Sequence, residues 1–248
     1  MSTFLTAHWR KLIMAQYEVD PAVLAPWLPP GLELDLYTTG DTARCYVSLV
    51  GFLFDRVRVL GLPIPFHTRF EEVNLRFYVT RTEPDGTRKR GVVFIREFVP
   101  RAAITHIANS LYEEPYATLP MRHSIVAIPA VLTVSYSWLY DKVWHSLAVA
   151  ADPTPQPVEP GSEEEFVTEH YWGYTKRSGG RTSEYGVQHP RWTVYPVQKF
   201  EIEADFDALY GPAFAPLNHQ EPASVLLAEG SEVTVSTGTR LPLVRLTP

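Results

Sequence analysis

The sequence predicts a mainly β protein, an antiparallel barrel or sandwich that carries a few short helices. Apolar and polar residues alternate with a period of two over many short segments, as they do in β-strands. The 248 residues include 22 prolines, nearly twice the usual share of about 5%, spread along the whole chain. Proline breaks helix interiors, so a helical bundle or a coiled coil is excluded. Barrel closure is favoured over a sandwich because it removes exposed strand edges.

The clearest pair of strands is a hairpin in the first half of the chain. A polar set alternates with an apolar set over residues 72–80, which predicts a half-buried strand. Residues 83–86 (EPDG) form a turn signal, because proline fixes φ and glycine tolerates positive φ. Residues 91–99 (GVVFIREFV) then return as the second strand. Earlier strands are predicted at residues 32–37 and 44–57.

The second half of the chain contains further strand patterns. They lie at residues 131–140, 143–150, 171–176, 183–189, 194–202 and 225–237. The proline-rich stretch 152–161 (DPTPQPVEPG) cannot be helical, and we interpret it as a surface loop within one domain. A single domain over residues 1–248 is therefore expected.

Helices are predicted to be few and short. Asp20 followed by Pro21 is an N-cap with proline at the first helical position. Residues 101–112 place Ile104, Ile107, Ala108 and Leu111 on one helical face. Ser162 with Glu165 three residues later is a capping box that begins a third helix.

Composition excludes several classes of function. The formal net charge is −6 and no basic run occurs, so we expect no nucleic-acid partner. No apolar stretch is long enough to span a bilayer and no secretory leader pattern is present, which predicts a cytoplasmic protein without a membrane partner. The single cysteine, Cys45, cannot form an internal disulfide or a multi-cysteine zinc site.

The first candidate site lies at the end of the strand over residues 91–99. Glu97 sits among apolar neighbours, so its carboxylate needs a cation or hydrogen-bond donors, or its pKa rises. Arg101 follows at the start of the next helix, and Arg76 lies on the adjacent strand. The group is either a structural ion pair or a carboxylate with an arginine clamp for an anion. Asn109, on the same helix, is a further candidate for ligand binding.

The second candidate is an aromatic wall on a predicted hairpin over residues 169–189. A four-residue turn at residues 178–181 would place Tyr174 opposite Tyr185 and His170 opposite His189. Trp172 would then lie on the same face of the sheet. This wall could be core packing, a surface on which a ligand stacks, or a metal site built on the two histidines. Two histidines without a third ligand are weak evidence for a metal, so no metal and no cofactor are predicted.

The whole chain resembles the YqjF-like (DUF2071) family of bacterial proteins. The resemblance is carried by HWRKLIMAQYEVDPAVLAPWLPPGLELD (8–35), YVSLVGFLF (46–54), IPFHTRFEEVNLRFYV (64–79), RGVVFIREFVPRAAITHIANSLY (90–112), EHYWGY (169–174) and EYGVQHPRW (184–192). This resemblance implies no particular activity.

More distantly, the chain resembles the acetoacetate decarboxylase-like superfamily. That resemblance implies an antiparallel, incompletely closed, cone-shaped β-barrel with a central cavity, and oligomeric relatives make a homo-oligomer one expected form. The superfamily's catalytic lysine follows a proline in a Pro-Lys-Lys string and forms an imine with the substrate. Here the matching string is Val99-Pro100-Arg101-Ala102, and a guanidinium does not attack a carbonyl at neutral pH. Arg10 lies where the superfamily carries a substrate-facing arginine.

Three hypotheses for function follow. In the first, the barrel binds a small carbonyl or carboxylate compound, held by Arg101 with Arg10 or Arg76. Glu97 then either orients the arginine or serves as acid or base, the aromatic wall stacks on the ligand, and no lysine imine forms. In the second, the barrel binds or senses a small molecule without catalysis. In the third, His170 and His189 hold a metal.

Overall fold

A computed structural model describes residues 2–111 and 113–242, apart from the side chains at 107, 108, 110 and 111. The described part is mainly β, as expected. It contains the strands β1 (Thr3–Glu18), β2 (Glu33–Leu34), β3 (Tyr37–Thr39), β4 (Thr42–Arg44), β5 (Tyr46–Val59), β6 (Leu62–Pro63), β7 (Phe70–Thr82), β8 (Arg88–Val99), β9 (Tyr116–Thr118), β10 (Met121–Ile128), β11 (Val131–Tyr140), β12 (Val143–Ala151), β13 (Gln156–Pro157), β14 (Trp172–Arg177), β15 (Arg181–Gln188), β16 (Thr193–Tyr195), β17 (Val197–Glu203), β18 (Ser224–Ser236) and β19 (Thr239–Arg240).

The helices are short. They are α1 (Pro21–Leu24), α2 (Ala102–Leu111), α3 (Glu163–Thr168), α4 (Phe206–Tyr210) and a 3₁₀ helix over Pro212–His219. The Asp20 side chain accepts a hydrogen bond from the Ala22 amide, and Ser162 accepts one from the Glu165 amide, so both predicted caps are confirmed. The predicted apolar face of α2 involves Ile107, Ala108 and Leu111, whose side chains lie outside the described part, as does Tyr112. No described helix is long and apolar enough to cross a bilayer.

The large sheet returns onto its own first strand and forms a ring. Neighbours follow the order β18, β1, β5, β7, β8, β14 and β15, and β15 pairs again with β18 at Val187–Val235. Within this ring, the neighbouring pairs are antiparallel except β8 with β14, which run parallel; β9, beside the ring, also pairs in parallel with β8. The predicted hairpin is confirmed as β7 and β8. The predicted strand over 194–202 is instead two strands, β16 and β17, which are separated at Pro196 because proline cannot donate to a ladder.

A second sheet of four strands, in the order β10, β11, β12 and β17, packs on the outside of the ring. Its aromatic residues Tyr136 and Trp138 are fully buried in the core between the two sheets. Gly51 of β5 allows the close approach, because a Cβ there would lie 3.0 Å from the Tyr136 ring. A second core fills the ring itself and includes Met14, Phe52 and Trp192. The ring therefore has a buried outer face as well as a buried interior.

Candidate functional site

The interior of the ring holds a cavity of about 200 Å³. Its walls are largely aromatic and aliphatic, which is the usual lining of a small-molecule site. The apolar part includes Trp9, Leu12, Phe52, Phe54, Phe70, Phe94 and Trp192. A group of polar side chains interrupts this lining at one end.

Strand β7 supplies the first polar residues of the cavity. Glu72, Asn74 and Arg76 alternate with apolar residues and all three are buried. The expectation of a half-buried strand is therefore wrong, because both faces of β7 are covered. The outer face packs in the core between the sheets, and ring closure encloses the polar face.

A β-bulge in β8 brings Glu97 into the same place. Leu75 pairs with Arg96 and Arg76 pairs with Phe94, so Ile95 is the extra residue. A bulge re-aims the side chains that follow it. As a result Phe94 and Glu97 both line the cavity, although strict alternation would put them on opposite faces. Glu97 lies directly opposite Asn74 in the ladder and is 1% exposed.

The segment after α2 contributes a third carboxyl group. Strand β9 pairs in parallel with β8, with Tyr116 beside Glu97, and this places Glu114 against the cavity. The Tyr185 hydroxyl donates to Glu114 at 2.7 Å. Its neighbour Glu113 is exposed and forms an ion pair with Arg177 at 2.9 Å. The side chain of Glu113 is therefore exposed to solvent, whereas that of the adjacent Glu114 is buried.

Burial dominates the electrostatics of these carboxyl groups. Removal from water raises the pKa of Glu72 and that of Glu114 to about 7. The pKa of Glu97 is raised well above its ordinary value by burial and then by the charges of Glu114 and Glu72, while Arg76 lowers it. At neutral pH the cluster therefore retains protons.

Hydrogen bonds satisfy only part of the cluster. Asn74 Nδ2 donates to Glu72 at 2.9 Å, and the Tyr116 hydroxyl donates to the same carboxylate at 3.2 Å. Glu97 Oε2, Asn74 Oδ1 and Arg76 Nε are buried atoms to which the described protein offers no partner. Buried polar groups without partners are costly, and they concentrate here on residues that line a cavity.

His170 forms another polar element of the lining. Its Nε2 lies 3.1 Å from Asp35 Oδ2, and Arg90 Nε donates to the same Asp35 oxygen at 2.7 Å. Burial lowers the pKa of His170 to about 4, so the ring is neutral at pH 7. A neutral ring that donates Nε2–H to Asp35 keeps a lone pair on Nδ1, which has no described partner.

The predicted aromatic wall is displaced by one residue. The turn is a three-residue loop, so Tyr174 pairs with Glu184, Gly173 with Tyr185 and Trp172 with Gly186. Tyr174 and Tyr185 consequently point to opposite faces of the sheet. Tyr185 and Trp172 line the cavity, whereas Tyr174 is buried in the core between the sheets. The register prediction was therefore wrong.

His170 and His189 both line the cavity, but not as a strand pair, because they lie just outside β14 and β15. The His189 ring stacks on Trp192 at 4.2 Å. Across the described residues, no three His, Cys, Asp or Glu side chains come together in a way that could hold a metal ion.

Three other predicted site residues do not line the cavity. Arg101 accepts the first hydrogen bonds of α2 through its carbonyl oxygen, and no described ion pair joins it to Glu97. Arg10 forms an ion pair with Glu229 at 3.6 Å. Asn109 is exposed and holds the Tyr116 backbone through two hydrogen bonds of 3.0 Å. Among the predicted arginines, only Arg76 faces the carboxyl cluster.

Sequence reasoning missed Glu72, Asn74, Glu114 and Tyr116. The alternation of polar and apolar residues in β7 places Glu72 and Asn74 on one face of the strand, but the same alternation is typical of a face exposed to solvent. Glu114 and Tyr116 carry no local signal, because they reach the cavity only through the pairing of β9 with β8.

Solved structures with a similar fold show the fold class of the chain. An acetoacetate decarboxylase from Legionella pneumophila aligns with a TM-score of 0.63 and 13% identity, over 97% of this chain and 88% of that chain. An acetoacetate decarboxylase-like enzyme from Sphingomonas wittichii RW1 aligns with a TM-score of 0.66 and 12% identity, over 98% and 95%. The enduracididine biosynthesis enzyme MppR, complexed with pyruvate, aligns with a TM-score of 0.62 and 13% identity, over 97% and 91%. The chain therefore has an acetoacetate decarboxylase-like fold.

Sequence comparison assigns the chain to a family within this fold class. The model of the DUF2071 family, described as an uncharacterized conserved protein, matches residues 6–232. The chain belongs to the DUF2071 family, as its sequence strings predicted. No curated protein matches it in sequence.

Proposed function

We propose that the protein binds a small, mostly apolar carbonyl compound in the ring cavity and moves a proton to and from the carbon next to the carbonyl. The observation that carries this proposal is the cluster of Glu72, Glu97 and Glu114, three buried carboxyl groups beside one guanidinium at the end of an apolar cavity. Carboxyl groups whose pKa values are raised towards neutrality suit general acid–base chemistry.

The proposed roles follow from protonation and position. Glu97, whose pKa burial raises well above its ordinary value, is protonated and donates a hydrogen bond to the carbonyl oxygen. Arg76 stabilises negative charge on that oxygen. Glu114, whose pKa is raised to about 7, accepts the proton from the α-carbon in its ionised form. The C–H electron pair becomes the C=C double bond while the carbonyl π pair moves onto the oxygen, which gives an enolate stabilised by the Glu97 hydrogen bond and by Arg76. Glu114 exchanges the proton it has taken with solvent and returns one to carbon, which restores the carbonyl compound and the Glu114 carboxylate.

The lysine contacts support a route without an imine. No lysine lines the described cavity. Lys11 bonds to Tyr195 and Glu229. Lys89 bonds to Glu184 and Glu83, and these carboxylates raise its pKa, so it stays protonated. A protonated amine is not a nucleophile.

Further support comes from the fold neighbours and from the cavity charge. A neighbouring structure, MppR, holds pyruvate, a small carbonyl compound. Among the described residues of this chain, three carboxyl groups but only one arginine line the cavity, which favours a neutral carbonyl group over a carboxylate at the cluster. We also propose that the site lies in the interior of a cone-shaped barrel. We propose a cytoplasmic location for the protein, because a free buried thiol such as Cys45 stays reduced there.

Exchange of α-protons tests the proposal directly. Small ketones such as 2-butanone are incubated with the protein in D₂O, and loss of the α-proton signals is followed by ¹H NMR. We expect exchange well above buffer for the unaltered protein and a loss of about 100-fold or more in Glu114→Gln. Glu113→Gln is the matched control, because that adjacent carboxylate is exposed and should leave the rate unchanged.

The same experiment separates the alternatives. Saturation-transfer NMR on the same samples reports binding independently of exchange. Ketones that bind without exchange would favour the non-catalytic sensing hypothesis over ours. An equal loss in Glu113→Gln and Glu114→Gln would remove the assigned role of the buried carboxylate.

A further inference from the structure

Strand β10 is an unpaired edge of the four-stranded sheet. The order β10, β11, β12, β17 leaves one side of β10 open, and among the described residues it pairs with β11 alone. All eight residues of β10 pair with β11 in one continuous register without a bulge. The open side is therefore long and regular.

Natural edge strands are usually protected against pairing with other chains by charges, prolines or bulges. The opposite edge, β17, has such protection, because it carries Lys199, Glu201 and Glu203 and its register shifts beside Ala150. Strand β10 contains no proline or lysine, and Arg122 is its only arginine. Val126 and Ile128 are each 50% exposed beside the open edge.

Backbone geometry identifies the free hydrogen-bonding groups. Strands β10 and β11 are joined by the two-residue turn of Pro129 and Ala130, so Ile128 and Val131 form the first pair of the ladder. Such a pair exchanges hydrogen bonds, and the bonding direction alternates along the strand. The N–H and C=O groups of Ile125 and Ala127 consequently point to the open side.

We propose that β10 pairs antiparallel with β10 of a second copy of this chain across a two-fold axis, which joins the two sheets into one of eight strands. An antiparallel edge is complementary to itself, so the same groups are satisfied on both copies. Charge also favours a second copy at this strand. Two copies that each carry a net charge of −6 repel one another overall, but β10 carries no carboxylate. Pairing centred on the strand sets Arg122 opposite Val126 or Ile128, so no like charges meet.

Analytical ultracentrifugation of the full chain tests this interface. We expect a dimer for the unaltered protein. Val126→Lys should raise the dimer dissociation constant at least tenfold, because it adds a charge at the edge without changing the core. Ala127→Pro should do the same by removing a free N–H while leaving the bonds to β11 intact. Phe200→Lys on β17 is the matched control, because Phe200 is 39% exposed on the protected edge, and it should leave the dimer unchanged.

Circular dichroism confirms that each variant is folded before its mass is interpreted. A monomeric unaltered protein at tens of micromolar would overturn the proposal. So would a dimer that Val126→Lys leaves intact, or one that Phe200→Lys dissociates equally. The interface does not depend on the proposed chemistry, so failure of proton exchange leaves this result unaffected.

Discussion

The protonation of single carboxyl groups governs the chemistry of the cavity. Glu72, Glu97 and Glu114 line the cavity together with one arginine, Arg76, so full ionisation would leave excess negative charge in a buried place. Retained protons remove that excess and turn a carboxylate into a hydrogen-bond donor. The same burial that costs stability at high pH therefore supplies the acid and the base of the proposed reaction.

One glycine controls the position of Tyr185, the donor to Glu114. A Cβ at Gly173 would lie 2.1 Å from Cζ of the Tyr185 ring, so the ring occupies the space that a side chain would need. We expect Gly173→Ala to displace Tyr185, to break its bond to Glu114 and to lower the free energy of unfolding by about 1–3 kcal/mol. Ketone affinity should fall as well.

Thermal unfolding and ligand titration measure these effects. Gly186→Ala is the control, because a Cβ there would lie 3.3 Å from the nearest atom, the hydroxyl of Ser236. Equal destabilisation by both substitutions would contradict the importance of the Tyr185 ring position.

At the residue scale, the sequence predicted Glu97 and Arg76 because a charge among apolar strand residues demands a partner. The sequence could not predict that Glu114 lies in the same cavity as Glu97 and Arg76. Glu114 follows a helix in an acidic pair, and only the non-local pairing of β9 with β8 separates it from the exposed Glu113. Arg101, four residues after Glu97, was the predicted cation, but the fold offers Arg76 from the neighbouring strand instead.

At the scale of the strand, the bulge at Ile95 decides which charge of β8 enters the cavity. Arg96 lies on the outer face, where Nη1 donates to the Leu209 carbonyl at 2.9 Å and the guanidinium lies over the Phe98 ring. Glu97 lies on the inner face. The two adjacent residues therefore belong to different parts of the molecule, one to the packing of α4 and one to the cavity.

This separation predicts opposite effects for two neighbouring substitutions. Arg96→Ala should lower the free energy of unfolding by about 1–3 kcal/mol, because it removes the donor to the Leu209 carbonyl and the cation that lies over the Phe98 and Tyr140 rings. Proton exchange in the protein that stays folded should be unchanged. Glu97→Gln should reduce exchange without such destabilisation at neutral pH. Urea unfolding and the NMR assay together would contradict the assignment if Arg96→Ala reduced exchange or if Glu97→Gln did not.

Strand existence was predictable from periodicity, but register was not. The hairpin of β7 and β8 was evident from its alternation and its turn. The register of β14 and β15 was missed by one residue because Gly179 and Gly180 both adopt positive φ and close a three-residue loop. A shift of one residue transfers every side chain to the other face, which removed Tyr174 from the predicted wall.

At the scale of the whole molecule, ring closure creates the site. The contact of β15 with β18 joins segments about 50 residues apart in sequence, and it involves only Val187–Val235 and Gln188–Thr234. No local pattern encodes such a contact. Closure converts the polar face of β7 from a solvent-facing surface into the lining of a cavity, and this explains why the sequence alone suggested a half-buried strand.

The enclosed charges also predict how stability depends on pH. The folded state raises the pKa values of Glu72, Glu97 and Glu114 above their ordinary range, so it holds more protons than the unfolded state, and stability falls as pH rises through the folded pKa values. His170 acts oppositely, because its pKa is lowered to about 4, so its contribution is present above its ordinary pKa of about 6.5 and is lost as pH falls towards 4. Burial also lowers the pKa values of His145 and His189, which act in the same direction as His170, so over most of pH 6.5–8.5 the carboxyl effect dominates.

We therefore expect the free energy of unfolding to decrease across pH 6.5–8.5 by about 1.4 kcal/mol per pH unit for each proton that the folded state retains. Glu97→Gln should flatten this slope and make the variant more stable than the unaltered protein at pH 8.5, since glutamine needs no proton to remain neutral. Glu113→Gln should leave the slope unchanged, because that carboxylate is exposed and its pKa is lowered by the Ser178 amide. Urea unfolding at several pH values provides the measurement. An unchanged slope in Glu97→Gln would show that the buried carboxyl group is ionised throughout this range, and the proposed hydrogen bond from Glu97 to a carbonyl oxygen would then have no proton to form it.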